Sequence, residues 1–538
     1  MPEVTDRADP SAPDPSAPDA ARSRRRAGGR AANKRRGVPG LPDQRPWGQV
    51  QLTDPPVEPV SADQVAAIDD AAMRILEEIG IDFLHEGARR HLKAAGCDVD
   101  PDGPRVRMGR DVVRHYLGTT PDTLTLTPRN PDRAITLGGT WQANVNVSSP
   151  PNCMDLDRGR RTGTHEDFRD LVKLSQHFNC IHVLGGYPVE PVDIHPGVRH
   201  LHCLRDKLVL SDKVMHAYAL GVERITDAME MMRIACGLDD EGFEATPRMY
   251  TNINSTSPLK HDWPMLDGAI RLAERGQPTI VTPFTLAGAT SPVTIAGSVA
   301  QATAEVLAAL VLLQHVKPGI PVVYGTFTNN VNMRSGAPAF GTPEYVRATQ
   351  ISGQMARFYG LPLRATNACA ANVADTQAAW ESMMSLWACQ TSHTNLVYHA
   401  AGWLEGGLCA SYEKFVMDCE MLQQFAAMQA PVDTSEDALA VDVIAEVDAM
   451  PESSRHFFAP QHTQDRYETA FYQPFLSDWR DYGGWAADGA VATPERANAM
   501  WKAILEAYEP PPMDDAVREE LDDFVARRVA EGGAPTDF

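Results

Sequence analysis

The sequence predicts an α/β fold, a TIM (β/α)8 barrel with an N-terminal α+β lobe and a C-terminal lobe. The central observation is a repeat of short β-branched runs, such as residues 279–284 and 322–327, each followed by an apolar helical pattern. The runs recur at roughly thirty to forty residues, the length of one βα unit, and such repeats build a parallel sheet. Each run ends in polar, aromatic or glycine residues, as expected where barrels place their active sites.

Seven runs are candidates for the parallel strands. They cover residues 181–184, 214–220, 248–253, 279–284, 322–327, 363–367 and 395–399. The eighth strand is supplied either by residues 143–147 or by a strand after residue 420. An open doubly wound sheet is the alternative, but the chain has no GxGxxG or GxxxxGK[ST] fingerprint.

The chain divides into four predicted segments. They are a disordered basic and Pro-Ala-rich arm (1–45), the N-terminal α+β lobe (46–140), the TIM-barrel domain (141–430) and a C-terminal lobe packed on the barrel (431–538). The arm is too polar to bury a core, and it is either a solubilising tail or a segment that docks on an acidic partner. Ser61 and Gly80 are expected to bound the first helix, and a cluster of aromatic residues predicts the C-terminal lobe.

Composition excludes several classes of protein. The net charge of −22 argues against nucleic-acid binding by the folded body. No run approaches the roughly 18 uninterrupted apolar residues of a membrane span, and the N-terminus has no apolar stretch. The nine cysteines form no CxxC pair, which predicts reduced thiols and a cytoplasmic protein.

Several sequence blocks together resemble the trimethylamine methyltransferase (MttB-like) superfamily. The blocks include NSTSPL (254–259), AGATSPVTIAG (287–297), GTPE (341–344), YGLP (359–362), DTQA (375–378), SYEK (411–414) and DCE (418–420). With DLDRG (155–159) and two short blocks near the end, the resemblance spans nearly everything after residue 55. Each block alone would be weak, whereas the set is specific.

The resemblance implies a TIM barrel that moves a methyl group from an amine to the cobalt of a separate corrinoid protein, with no bound metal of its own. Archaeal members carry pyrrolysine at the barrel mouth. This chain resembles the larger branch without pyrrolysine, whose characterised members demethylate quaternary amines such as glycine betaine. The region where pyrrolysine is expected reads TNACAANVAD (366–375) in place of a glycine-rich run with Thr-Asp-Ala-Lys, so the substrate stays open.

The chemistry of demethylation suggests which residue types the site needs. A quaternary ammonium leaves as a neutral amine without taking a proton, and such a cation is held by aromatic faces and carboxylates. The candidate substrate-binding residues are Tyr324, Phe327, Asn367, Tyr398, Trp403, Glu405, Asn252 and Asn254. The candidate catalytic residues are His399 and Glu413, although His399 could instead satisfy a loop carbonyl and Glu413 could anchor a loop. Core packing is the competing explanation for each aromatic residue.

A zinc site is disfavoured by geometry. His200 and Cys203 can share one face of a helix, but His202 cannot join them. The predicted protein is therefore a corrinoid-dependent methyltransferase and a homo-oligomer, with a small methylated amine and a corrinoid protein as partners. The alternatives are a non-catalytic betaine-binding barrel and a demethylase of a tertiary amine or a sulfonium compound.

Overall fold

The structure is a computed structural model that describes residues 40–536. The described residues from Gln44 onward form one compact unit. Most of the predicted disordered arm, residues 1–39, lies outside the described residues. The division of the remaining chain into three domains stays a prediction.

Eight short strands carry the α/β core, seven of them at the seven predicted runs and one at residues 141–144. They are β1 (Trp141–Asn144), β2 (Val183–Leu184), β3 (Val214–Met215), β4 (Thr251–Ile253), β5 (Thr279–Val281), β6 (Val322–Gly325), β7 (Leu363–Thr366) and β8 (Leu396–Tyr398). The helices that follow them are His165–His177, Pro196–Leu210, Val222–Ala235 with Asp240–Glu244, Trp263–Glu274, Ile295–Val316, Pro343–Tyr359, Thr376–Thr391 and Tyr412–Met428. The α/β prediction is confirmed, and residues 143–147 supply the strand that the sequence left open.

The eight strands pair in parallel. One ladder runs β1-β8-β7-β6-β5-β4, and a second joins β2 to β3. Two single parallel bridges connect the ladders, Val145 with Val183 and His216 with Tyr250. Each of the eight strands therefore has a parallel neighbour on both sides.

Helix Ile295–Val316 is long and apolar enough to cross a membrane by length and composition, but 83% of its most apolar window is buried inside the protein. It packs between the strands and two helices of the N-terminal region, Ala62–Arg74 and Arg110–Leu117. It is therefore a core helix, and its apolar sequence reflects burial on all sides.

The N-terminal region contains small sheets and helices. Its further elements are Val50–Gln51, Ile75–Ile79, Ile81–Phe83, Glu86–Ala94, Asp98–Val99, Arg105–Arg107, Leu124–Leu126, Pro131–Arg133 and Ile135–Leu137. The Ser61 hydroxyl accepts a hydrogen bond from the backbone N–H of Gln64 and so caps the first helix. Gly80, at φ +83°, follows the last turn.

Short loop strands lie after the parallel strands. Asn152–Asp155, Gly159–Thr162, Trp403–Leu404 and Cys409–Ser411 form one sheet, and Leu286–Ala287, Asn329–Val331 and Pro338–Ala339 form another. Strand Lys260–His261 pairs with Ile81–Phe83, and a short 3-10 turn covers Glu405–Gly407. These additions place loop residues over the carboxyl ends of the core strands.

The C-terminal region is helical, and two of its helices do the packing. Its elements are Glu436–Leu439, Val441–Asp448, Glu452–Ser454, Gln461–Arg466, Tyr482–Ala487, Thr493–Glu506 and Asp515–Ala530. Thr493–Glu506 packs on Tyr412–Met428, and Asp515–Ala530 packs on Pro196–Leu210. Several aromatic residues that suggested a packed lobe are instead exposed: Phe457, Phe458, Tyr467, Phe471, Trp479 and Tyr482.

A fully buried ion pair fixes the loop after β8. Lys414 and Asp418 lie one turn apart on helix Tyr412–Met428, and both side chains are inaccessible to solvent. The other oxygen of Asp418 accepts the backbone N–H of Gly402 at 2.9 Å, and Lys414 also donates to Ser382 at 2.6 Å. Burial raises the pKa of Asp418, and the adjacent ammonium opposes that rise. This pair anchors the segment that carries Trp403.

Asp418→Ala is expected to lower the free energy of unfolding by about 3–5 kcal/mol, because it leaves a buried ammonium without its counter-ion. Urea denaturation measures this loss. Glu78→Ala is the matched control, since Glu78 forms the same one-turn pair with Arg74 at an exposed position, and its loss should change the free energy of unfolding far less. Equal costs for the two substitutions would contradict the anchoring role.

Candidate functional site

A cavity of about 400 Å³ lies at the carboxyl ends of the parallel strands. Its lining comprises Ser148, Ser149, Gly186, His216, Tyr218, Ala219, Leu220, Asn252, Asn254, Met265, Phe284, Phe327, Arg364, Tyr398, His399, Trp403, Gly406 and Gly407. The volume falls within the range of small-molecule sites. The exposed Ser149 and the half-buried Gly406 show that the cavity reaches the surface.

A second cavity, of about 640 Å³, lies near the amino ends of β1 and β2, beside Trp47 and His182. None of the predicted site residues lines it. The buried aromatic and titratable groups of the predicted site instead meet at the carboxyl ends, which makes the first cavity the candidate site.

Alternation along the strands decides which predicted residues reach the cavity. Side chains on successive strand residues point to opposite faces. Val323 joins the inner core cluster, whereas Tyr324 joins the cluster between strands and helices. The Tyr324 hydroxyl meets the Thr303 hydroxyl of helix Ile295–Val316 at 2.7 Å, so Tyr324 lies outside the cavity lining.

Stacked rings form one side of the cavity. Phe327 stacks on Phe284 at a centroid distance of 4.8 Å and on Phe340 at 5.5 Å, and Trp403 approaches its edge at 6.4 Å. Because rings cover both faces of Phe327, the end of the stack at the cavity is Phe284. We call Phe284, Phe327 and Trp403 the aromatic wall.

Arg364 is a buried cation at this site that the sequence reasoning missed. It lies in β7, its residue is 4% exposed, and its guanidinium carbon is 4.3 Å from the centroid of the Tyr398 ring and 5.9 Å from that of Phe327. Its Nη1 donates to the Thr326 carbonyl at 3.3 Å. Among residues 40–536, no carboxylate pairs with Arg364, and its Nε has no acceptor. Burial lowers the pKa of Arg364, yet a guanidinium stays charged.

His399 is held in an unusual backbone conformation at the end of β8. Its φ is +52°, in the left-handed region, and its ring centroid lies 3.9 Å from that of Trp403. Strained backbone of this kind concentrates at functional sites. The Nδ1 of His399 accepts the backbone N–H of Ser148 at 3.1 Å, so in the neutral ring Nε2 carries the proton.

Both histidines of the lining are neutral. Burial holds the pKa of His399 well below its usual range, and the charge of Arg364 adds to this effect. Burial, Lys207 and Arg364 lower the pKa of His216 in the same way. The lining contains no Asp or Glu among the described residues, so Arg364 is its single charged side chain.

Two amides at the end of β4 are fixed by one network. Asn252 donates to the Asn254 side chain at 3.1 Å and accepts from the Thr282 hydroxyl at 2.7 Å. Asn254 donates to the Thr282 carbonyl at 2.9 Å. Both asparagines line the cavity with a defined orientation.

Three further predicted residues lie away from the lining. Glu413 accepts from Asn498 at 2.8 Å and Trp501 at 3.0 Å, and so anchors the C-terminal helix Thr493–Glu506. Glu405 pairs with Arg160 through two oxygens. Asn367 donates to the Ala400 carbonyl at 3.0 Å. The predicted residues that the fold does bring together are His399, Tyr398, Phe327, Trp403, Asn252 and Asn254.

The side chains considered for zinc have other partners. His200 contacts Asp227 at 2.8 Å, and Asp227 also pairs with Arg528 of helix Asp515–Ala530. Within the part of the chain that the structure describes, no group of three or more His, Cys, Asp or Glu side chains is arranged to hold a metal ion.

Comparison with known proteins places the chain among amine methyltransferases. The family model described as "Trimethylamine methyltransferase (MTTB)" matches residues 25–533. The chain is 37% identical to the glycine betaine methyltransferase of Desulfitobacterium hafniense (strain Y51), over 88% of this chain and 98% of that protein. It is 27% identical to the trimethylamine methyltransferase MttB of Desulfitobacterium hafniense (strain DSM 10664 / DCB-2), over 88% and 94%.

More distant similarities complete the comparison. The proline betaine:corrinoid methyltransferase of Eubacterium limosum is 28% identical over 70% of this chain and 79% of that protein. Among solved structures, the monomethylamine methyltransferase MtmB of Methanosarcina barkeri matches with a TM-score of 0.42 and 12% identity, over 86% of this chain and 93% of that chain.

The neutral state of His399 has a measurable consequence for stability. Its pKa in the folded protein is below the unfolded value of about 6.5, so between the two values the unfolded chain binds more protons. The contribution of this group is therefore present above about pH 6.5 and is lost as the pH falls. When the pH is lowered from 7 to 5, the free energy of unfolding should fall less for His399→Gln than for the parent protein. Parallel denaturation curves at the two pH values measure this, and identical pH slopes would contradict a buried neutral ring.

Proposed function

Because the chain belongs to the trimethylamine methyltransferase (MTTB) family, we propose that it moves a methyl group from a quaternary amine resembling glycine betaine to the Co(I) of a separate corrinoid protein. The enzyme class, a methyltransferase, follows from family membership over most of the chain. The choice of a betaine is supported by the 37% identity to a glycine betaine methyltransferase.

The observation that carries the proposal is a cavity with aromatic rings, neutral histidines and no carboxylic acid among its described lining residues. A tertiary amine must be protonated before it can lose a methyl group, because its leaving group would otherwise be an amide anion. A quaternary ammonium keeps the electrons of the broken C–N bond on nitrogen and leaves as a neutral amine. A site without an acid suits the second substrate.

We infer that the eight parallel strands form a TIM barrel. The support is that pairing continues from β1 through β8 and back, through two ladders and two single bridges. In such barrels the active site lies at the carboxyl ends of the strands, which is where the cavity is found.

The aromatic wall binds the ammonium group of the substrate. A cation over an aromatic face gains about 0.5–2 kcal/mol. Phe284, at the end of the ring stack, offers its face to the methyl groups, while the fixed amides of Asn252 and Asn254 limit where the substrate can sit. Holding the reacting methyl in one direction is the main contribution that such a site makes to the rate.

The mouth of the cavity fits a reactant carried by another protein. The corrinoid supplies Co(I), the nucleophile that takes the methyl group. Two consecutive glycines, Gly406 and Gly407, leave the rim without side chains at this point. A Cβ at Gly407 would stand 2.6 Å from the Trp403 ring, so glycine is needed for Trp403 to take its place in the wall.

Two further parts of the proposal concern the state of the protein. All nine cysteines are free thiols, which supports a cytoplasmic location. Helix Thr376–Thr391 exposes Trp380, Met384 and Trp387 on one side, which supports a homo-oligomer. A sulfonium substrate or a betaine-binding barrel without turnover remains the alternative.

The purified protein, incubated with reduced cobalamin and glycine betaine, is expected to form methylcobalamin and dimethylglycine in equal amounts, whereas trimethylamine should give neither product. Absorbance spectra and product analysis measure both. The protein could instead bind betaine and transfer no methyl group, either to free cobalamin or to the cognate corrinoid protein. That result would support the betaine-binding alternative.

Phe284→Leu keeps apolar volume but removes an aromatic face. It is expected to raise KM for the quaternary amine about tenfold with little change in kcat, because one cation–π contact is lost. Tyr324→Phe is the matched control, since Tyr324 lies outside the cavity lining. If Tyr324→Phe raised KM more than Phe284→Leu does, cation binding by Phe284 would be contradicted.

A further inference from the structure

Arg364 presents an unbalanced charge to the cavity. Its guanidinium is buried in β7, and no carboxylate among residues 40–536 lies within ion-pair distance of it. A buried charge is normally paired, because removing it from water without a partner is costly. Within the described part of the chain, its side chain donates to one acceptor, the Thr326 carbonyl.

Other buried donors of the lining also lack acceptors. The Nε of Arg364 and the Nε1 of Trp403 have no hydrogen-bond partner among the described residues. In the neutral tautomer that Ser148 selects, His399 has a further N–H at Nε2. The Nε of Arg364 and the Nε1 of Trp403 are enclosed by protein atoms, so the donors open to a ligand are the remaining N–H groups of the Arg364 guanidinium, which suit a ligand with acceptor atoms.

The neighbouring lysine does not offset the charge. Lys207 is fully buried and donates to the carbonyls of Gly185 and His216, both at 2.7 Å. Burial lowers the pKa of Lys207 to about 7, so the permanent positive charge of the cavity lining is that of Arg364. A simple organic cation would meet repulsion there, although its ammonium group fits the aromatic wall.

We propose that Arg364 binds the carboxylate of the substrate, and that the site thereby selects zwitterionic betaines over cations without an acid group. This inference rests on the proposed function, since it concerns the same cavity. Arg364 is a substrate-binding and specificity-determining residue in this reading.

The positions of the charged group and the rings set the orientation of such a substrate. The face of Tyr398 toward Arg364 is taken by the guanidinium at 4.3 Å, so that face is closed to the ammonium. Phe284 is stacked on Phe327 at a centroid distance of 4.8 Å and lines the same cavity. The ammonium therefore sits at Phe284 and Trp403, and the carboxylate sits at Arg364. A short spacer between the two charges, as in an α-amino acid betaine, matches this arrangement.

A structural role for Arg364 makes a different prediction. If the guanidinium only fills space against Tyr398, its removal weakens every ligand alike. If it binds a carboxylate, its removal weakens carboxylate ligands and relieves repulsion against simple cations. The sign of the change with choline therefore separates the two roles.

Calorimetry with Arg364→Gln and Arg364→Lys tests the proposal, with glycine betaine and choline as ligands. Arg364→Gln is expected to weaken glycine betaine by about a hundredfold, the loss of a charge-assisted contact, and to leave choline unchanged or tighter. Arg364→Lys should fall between the parent and Arg364→Gln, because it keeps the charge but not the planar fork. Equal weakening of both ligands, or no weakening of betaine, would overturn the proposal.

The unaltered protein gives a second test that needs no variant to fold. It should bind glycine betaine at least about a hundredfold more tightly than choline or glycine betaine methyl ester. Comparable affinities would overturn the role of Arg364 even where methyl transfer from betaine is observed. Absence of both betaine binding and methyl transfer would instead overturn the proposed function itself.

Discussion

Side-chain alternation along eight short parallel strands is the constraint on which the site depends. Residues of one parity face the interior and those of the other face the surrounding helices. Arg364 and Tyr398 therefore point toward the cavity, while Tyr324 packs against helix Ile295–Val316. A shift of one residue in any of these strands would exchange the two sets. The extensive burial of the helix layer makes such a shift costly, and this rigidity fixes the positions of the cavity groups.

Carboxylates near the cavity connect the loops and helices around it. Glu413 connects helix Tyr412–Met428 to the C-terminal helix through Asn498 and Trp501, and Asp418 holds Gly402 beside Trp403. These contacts act on the residues around the cavity rather than on a ligand. The cavity lining itself therefore carries very little charge, and these carboxylates near it are bound to other protein groups.

The strands and the location of the site could be predicted, because β-branched runs and their polar ends are local patterns. Seven predicted runs coincide with strands, one of the two alternatives for the eighth overlaps the remaining strand, and six predicted site residues line one cavity. The partners of Glu405 and Glu413 could not be predicted, since Arg160 and Asn498 are distant from them in sequence. Arg364 carried a signal that was available: a charged residue in the middle of an apolar strand is rarely structural alone. The alternation of side chains along residues 322–327 could likewise have excluded Tyr324 from the cavity lining.

The absence of a carboxylate near the aromatic wall has a physical reason within the proposed reaction. The positive charge on nitrogen disappears as the methyl group leaves, so any group that stabilises this charge binds the substrate better than the transition state. A buried carboxylate would stabilise the ammonium strongly in a low-dielectric site, and losing that interaction would raise the barrier. Aromatic faces hold the cation through contacts of about 0.5–2 kcal/mol and so oppose the reaction less. Arg364, in contrast, would contact a carboxylate that keeps its charge throughout. It can therefore contribute affinity and selectivity without a cost to the rate, so one cavity can combine a strong interaction with the carboxylate and weak interactions with the ammonium.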